Sequence, residues 1–357
     1  MVNAVNSSAN GATYTLYAQT DMTNPDFTAF MHGVNNYSLS YNVNIDGIVY
    51  PDVLEIDAQV GSMRESILFA GSGFQYSFVG SQPSITGGTI DAVITQDWVG
   101  SAWTPTSSIT GLDVSASALY QALENVYHNS SAANETAVMQ LLFQGNDTIY
   151  GSAYNDILYG YGPNTTFIPG AGSDQITGTS GINTVVFPGG IQQYTVTDSG
   201  NTITVTGGVA GSTDVLTNIQ EVKFSDITLV FNLHSSEDTL VYELYQAAYA
   251  RIPDFAGFEY WAGVADANNT SALALADAFL AAPEFAQKYG ANPSNTAYVT
   301  ELYSNVLGRA PDQAGLAYWV SQANAGTPRD QLLVDFAVSQ ENVNLIAPHI
   351  SNGYWTT

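Results

Sequence analysis

The sequence predicts a multidomain protein with an α+β N-terminal domain, a short parallel β-roll carrying a β-hairpin extension, and an all-α C-terminal domain. Three observations predict it. Apolar and polar residues alternate through the first 143 residues, a nine-residue apolar period runs through the middle, and a helical motif is duplicated near the end. The expected boundaries are 1–143, 144–231 and 237–357, with a linker near Asn232 to Glu237. At 357 residues, with 45% of them hydrophobic, the chain can bury more than one core.

In the first zone, Tyr37-Ser38-Leu39-Ser40-Tyr41-Asn42-Val43-Asn44-Ile45 has the period of a half-buried strand. Further strands are expected over 64–70, 74–79 and 88–96, punctuated by Gly71-Ser72-Gly73 and Gly87-Gly88. Helices over Ser115 to Tyr127 and Asn134 to Phe143 close the zone. The chain opens Met1-Val2-Asn3-Ala4 with neither a basic nor an apolar leader segment, so no Sec-type signal is expected. The most apolar helical stretch, Ala272 to Ala282, holds Asp277 and is about half the length of a membrane span.

The middle zone is rich in Gly, Thr, Asn and Asp. At nine-residue intervals stand Ile149, Leu158, Phe167, Ile176 and Val185, and two residues before each stand Asp147, Asp156, Thr165, Asp174 and Asn183. This spacing predicts a coil of short strands that point one apolar residue inward at each half turn, with a Gly-rich loop after each strand. Glycine permits positive φ and close approach of carbonyl oxygens, and aspartate adds a hard anionic oxygen, a combination suited to Ca²⁺. A turn ladder that binds no ion is the alternative.

Gly151-Ser152-Ala153-Tyr154-Asn155-Asp156-Ile157-Leu158-Tyr159 and Pro169-Gly170-Ala171-Gly172-Ser173-Asp174-Gln175-Ile176-Thr177 resemble the RTX nonapeptide repeat of bacterial type I secreted proteins. The resemblance implies that loops eighteen residues apart share an ion. Asp156 and Asp174 would then form one good site, with carbonyls of Gly151, Ala153, Gly170 and Gly172 as further ligands. Asp147, facing Thr165 and Asn183, would form a poorer second site. Gly211 to Asp226 resembles the segment that commonly follows such repeats and is expected to cap the roll.

In the last zone, residues 243–261 and 301–319 share ten of nineteen positions at a spacing of 58. Both copies carry Glu-Leu-Tyr, an Arg (Arg251, Arg309), Pro-Asp, Ala-Gly and Tyr-Trp. Pro253 and Pro311 stop a helix, Asp254 and Asp312 begin the next, and Tyr260-Trp261 and Tyr318-Trp319 are expected to fill the core. The arginines are expected to pair with acids such as Glu243 or Glu301, and Phe279 with Glu284 recurs as Phe336 with Glu341. The pattern resembles the DUF4214 module, which implies an accessory or anchoring domain.

The charge excludes several classes of function. Six basic residues against 32 acidic ones give −26, so nucleic acid and anionic lipid are unsuitable partners. The absence of cysteine excludes disulfides and thiolate chemistry. No zinc-protease, nucleophile-elbow, phosphate-loop or dinucleotide motif occurs, and no catalytic residue is expected. His32 and Tyr76 are spaced rather like the iron ligands of secreted haemophores, which implies a haem-carrying head as one alternative; a carbohydrate-active enzyme is the other. The main expectation is a secreted, calcium-binding structural or adhesive protein, outside the cell or on its surface, with itself or a surface polysaccharide as partner.

Overall fold

The computed structural model describes residues 11–23, 27–79, 82–200, 202–208, 211–231, 236–268, 270–351 and 353–357. The opening residues Met1 to Ser8 and most of the expected linker, 232–235, lie outside the described residues. Contacts divide the chain into Met1–Gln220 and Glu221–Thr357.

The first unit begins with β1 (Thr13–Leu16) and α1 (Phe27–Gly33), then five long antiparallel strands: β2 (Val34–Ile45), β3 (Ile48–Val60), β4 (Met63–Val79), β5 (Gln82–Val99) and β6 (Ala102–Ser115). The β2–β3, β3–β4 and β5–β6 turns are short because Asp46-Gly47, Gly61 and Gly100 take positive φ between strands of alternating polarity. Helices α2 (Ala116–His128) and α3 (Ala132–Leu142) follow, each started by a serine whose side chain accepts a backbone N–H, Ser115 from Ala118 and Ser131 from Asn134. Leu119, Leu123, Val126, Val138 and Met139 are buried on these two helices, and Leu54, Ile56, Phe69 and Val93 are buried on the strands.

The roll follows as β7 (Thr148–Tyr150), β8 (Ile157–Tyr159), β9 (Thr166–Ile168), β10 (Gln175–Thr177) and β11 (Thr184–Val186). Alternate strands join opposite sheets. Phe167 pairs in register with Ile149 and Val185, and Ile176 with Leu158, all parallel. Each coil is therefore eighteen residues long, and the five inward residues of the nine-residue series are at most 1% exposed. After a short 3₁₀ turn, β12 (Tyr194–Asp198), β13 (Thr202–Gly207) and β14 (Ser212–Thr217) form an antiparallel extension. The last of them lays Leu216 on Ile176 as one more coil.

The strand β1 was not anticipated as part of the roll. It pairs antiparallel with β6 on one side and parallel with β7 on the other, so head and roll share one sheet, ordered β11-β9-β7-β1-β6-β5-β4-β3-β2. The residues after it continue along the roll: Met22 N–H donates to Ile157 O at 2.9 Å and Ile157 N–H to Thr20 O at 2.8 Å. Residues 12–22 thus behave as a first coil.

The second unit contains β15 (Glu221–Lys223), β16 (Thr228–Val230), helices α4 (Ser236–Tyr249), α5 (Phe255–Asn268), α6 (Ala272–Ala281), α7 (Pro283–Tyr289), α8 (Asn295–Leu307), α9 (Gln313–Asn324), α10 (Arg329–Ala337) and α11 (Gln340–Ile350), and a final strand β17 (Tyr354–Thr356). That strand departs from the all-helical expectation locally. It pairs with β16, and Tyr354 OH meets Thr239 Oγ1 at 2.9 Å. Tyr242, Phe258, Phe279 and Tyr298 are the largest fully buried side chains of this core.

The duplicated motif has the same mechanics in both copies. Asp254 accepts Gly257 N–H at 2.8 Å and Asp312 accepts Gly315 N–H at 2.9 Å, capping α5 and α9. Two expectations need correction. Arg251 pairs with Glu284 (Nε to Oε1 2.7 Å, Nη2 to Oε2 3.1 Å) and Arg309 with Glu341, because each arginine ends one helix of its copy beside the first turn of a later one. Tyr260 and Tyr318 stand mostly exposed, while Trp261 packs on Phe279 and Trp319 on Phe336. Adjacent residues on a helix point about 100° apart, so only one of the two can face the core. No described helix is long and apolar enough to cross a membrane.

Candidate metal centre

The eighteen-residue coil places the sixth residue of each loop directly over its counterpart in the next. On one flank, Asp156 N–H donates to Asp174 Oδ1 at 2.8 Å, and Asp174 N–H donates to Asp214 Oδ1 at 2.9 Å. Thr20 N–H donates to Asp156 Oδ1 at 2.8 Å, so the first coil joins the same ladder. On the other flank Ala12 N–H donates to Asp147 Oδ1 at 2.8 Å, Thr165 N–H to Asn183 Oδ1 at 3.2 Å, and Asn183 N–H to Gln220 Oε1 at 2.8 Å. One oxygen of each side chain thus satisfies a backbone donor that the curving coil would otherwise leave buried and unpaired.

The second oxygens differ. Asp156 Oδ2 accepts from Ser152 N–H at 2.7 Å and Ser152 Oγ at 2.8 Å. Asp174 Oδ2 and Asp147 Oδ2 are buried with no hydrogen-bond partner. Burial pushes the Asp174 carboxyl up to about 7, the neighbouring Asp214 and Asp156 charges push the same way, and the Asp156 N–H opposes them. Burial likewise raises Asp147 to about 6 against the N–H groups of Ala12 and Gly145. Asp214 is raised by burial as well.

Around Asp174 the two loops stack closely. Ala171 N–H donates to Ser152 O at 3.2 Å, and Ser173 N–H to Asn155 Oδ1 at 2.8 Å. Gly170 and Gly172 hold φ of +92° and +120°, and a Cβ on either would collide with the carbonyl of Ser152 or Tyr154. Only glycine fits a backbone brought so near to another loop's carbonyls. Gly151 N–H bonds Ile168 O at 2.9 Å, and Ala153 stands exposed at the tip of its loop.

The structure therefore brings together Asp156, Asp174, Gly151, Gly170 and Gly172, sets Ala153 at their rim, and puts Asp147 on the opposite flank. The orphaned carboxylate oxygens and crowded carbonyls fit a hard divalent cation. Among the described residues no three His, Cys, Asp or Glu side chains converge on one point, so backbone carbonyls have to complete any such shell. Sequence reasoning missed Asp214. Its signal was present, since Asp214 precedes Leu216 by two residues just as Asp156 precedes Leu158 and Asp174 precedes Ile176.

His32 and Tyr76 are not brought together. His32 ends α1 with Nδ1 2.9 Å from Thr28 O and its ring beside Tyr127. Tyr76 OH meets Tyr41 OH at 2.6 Å. Tyr41 lies seven residues along β2 from Val34, the strand's His32 end, which at ~3.3 Å per residue is roughly 20 Å. A single iron cannot bridge that span.

Residues 143–162 and 169–186 match the RTX calcium-binding nonapeptide repeat, and residues 276–346 match the domain of unknown function DUF4214. No curated protein matches the chain. RTX repeats bind calcium, and calcium is accordingly the cofactor of this chain; such repeats are typical of proteins secreted by type I systems, which points to an extracellular location.

Proposed function

We propose that this protein is an extracellular structural or adhesive component whose roll becomes stable only on reaching calcium, and that its role is not catalytic. The observation that carries the reading is the pair of buried carboxylate oxygens, Asp174 Oδ2 and Asp147 Oδ2, with no partner of their own. Bound calcium supplies positive charge and coordination to these oxygens. Without it the Asp214 and Asp156 charges, stacked in one ladder with Asp174, oppose the ionisation of Asp174. With a chain charge of −26, that repulsion favours an open chain inside a low-calcium cell.

Self-association is the finer part of the proposal. Strand β2 stands at the edge of the head sheet, twelve residues long, with no charged residue and no proline. Such an edge lacks two of the usual guards against pairing with another strand, charge and proline. A neutral strip also suits the meeting of two acidic copies, because no like charges on β2 face each other there. Calcium titration of the full chain, followed by circular dichroism and light scattering, tests both parts. We expect strand signal to rise with calcium and scattering to rise after it. Unchanged dichroism between EDTA and calcium refutes the first part; monodisperse protein at saturating calcium refutes the second.

A further inference from the structure

A cavity in the head lies outside everything the calcium reading uses. It sits between the sheet and helices α1 to α3 with a volume of about 420 Å³, at the lower end of small-molecule sites, ~300–1,000 Å³. Phe69, Val93 and Ile109 pair across β4, β5 and β6 as one row of its floor, and Leu123, Val138 and Met139 line it from α2 and α3. All six are buried. Water gains little in such surroundings, because it needs two or more polar partners, whereas a hydrocarbon gains by leaving water.

The next row of the floor turns polar at a bulge. Ile67 pairs with Thr95 and Thr95 with Ser107, but Gln96 pairs with Pro105, so Thr106 is an extra residue on β6. A bulge of this kind re-aims side chains. Thr106 Oγ1, at 2.8 Å, and Ser107 Oγ, at 2.7 Å, both meet Thr95 Oγ1, and the Tyr14 phenol reaches Ser107 from β1. These four hydroxyls carry four hydrogens for three contacts, so one hydrogen remains for an acceptor outside the chain.

Charge narrows the class of ligand. Among the described residues lining the cavity, the ionisable side chains other than Tyr14 are Asp21, Glu65 and Asp97, so a bound anion would find no counter-ion. An alkylammonium brings no lone pair for the remaining hydroxyl hydrogen. We propose that this cavity binds a neutral, mainly aliphatic molecule with one acceptor oxygen, a medium-chain ketone or ester. Its chain lies among Phe69, Leu123 and Met139, and its oxygen accepts from the hydroxyls around Thr95 and Ser107. The site stands apart from the roll ladder and does not depend on the calcium reading.

Calorimetric titration of the calcium-loaded full chain at physiological salt, where surface charge is screened, tests the proposal with 2-hexanone, 2-octanone, octanoate and n-octylammonium. Each CH₂ that leaves water adds roughly fourfold in affinity, so 2-octanone is expected to bind at least tenfold more tightly than 2-hexanone. Both ions are expected to bind at least tenfold more weakly than 2-octanone. The carbonyl stretch of bound, isotope-labelled 2-octanone, read by infrared difference spectroscopy, is expected below its position in hexane, as a hydrogen-bonded carbonyl requires. Leu123→Trp, shown by circular dichroism to be folded, is expected to lose ketone binding because the indole occupies the space. Affinity independent of chain length, an ion bound as tightly as the ketone, a carbonyl stretch at the hexane position, or undiminished ketone affinity in the folded Leu123→Trp variant overturns it.

Discussion

Replacing Asp174 by Asn should make the calcium-free protein more stable. The folded carboxyl titrates near 7 against an ordinary value of 3.8, and burial is the main cause. A folded pKa above the unfolded one means that this group contributes most stability below pH ~4 and loses it progressively as pH rises through 7. The difference is about three units, and at 1.36 kcal/mol per unit the charged form costs on the order of 4 kcal/mol at pH 8. Asparagine carries no charge and keeps an oxygen for the Asp156 N–H. For a unit of 220 residues, ~2–4 °C per kcal/mol converts this to a rise of roughly 10 °C in melting temperature. With calcium the ranking should reverse, because the variant has lost an anionic ligand. Differential scanning calorimetry at pH 8, in EDTA and in excess calcium, reads both effects. A calcium-free variant that melts below the parent, together with an undiminished calcium-induced rise, would refute the placement of Asp174 at the ion.

The same sign predicts that the calcium-free parent melts at lower temperature at pH 8 than at pH 5, since Asp174 and Asp147 titrate near 7 and 6; a flat profile counts against it. Gly170→Ala forces a side chain into φ +92° and against the Ser152 carbonyl, so urea denaturation should show a loss of more than ~2 kcal/mol and a calcium midpoint shifted upward. Phe167→Ala empties the centre of the β7-β9-β11 face and should cost ~3–5 kcal/mol by the same measurement. In the second unit, Arg251→Lys replaces a two-toothed contact with Glu284 by a single one at a site about one-third exposed, so a double-mutant cycle should find no more than ~1 kcal/mol.

Much of the roll was legible because its pattern is one-dimensional. Ile149, Leu158, Phe167, Ile176 and Val185 announce their own spacing, and a parallel coil of fixed length leaves the positions of Asp147, Asp156 and Asp174 no freedom once that spacing is known. The duplicated helices were legible for a similar reason, since a motif occurring twice marks its own boundaries. What stayed hidden was long-range. Thr13-Tyr14-Thr15-Leu16 is four residues of unremarkable strand composition, and nothing local says that it will lie between β6 and β7. The partner of Arg251 was also hidden, although Glu284 and Glu341 recur at nearly the spacing of the arginines and could have been read as their mates. The second oxygens of the aspartates were beyond sequence altogether. Whether a carboxylate is satisfied, as Asp156 is by Ser152, or left bare, as Asp174 is, depends on the tilt of one loop over another.

The shared strand β1 limits how this protein could be taken apart and reused. A cassette cut at the repeats, from residue 144 onward, would leave behind the amides of Ala12 and Thr20 that Asp147 and Asp156 accept, and would strip the partner from one side of β7. Grafted onto another protein, such a cassette would begin with a raw edge and two buried acids short of donors. A workable transplant has to carry residues 11–22 with it, fused or supplied as a separate peptide, and a peptide of that sequence should restore order to a roll that lacks it.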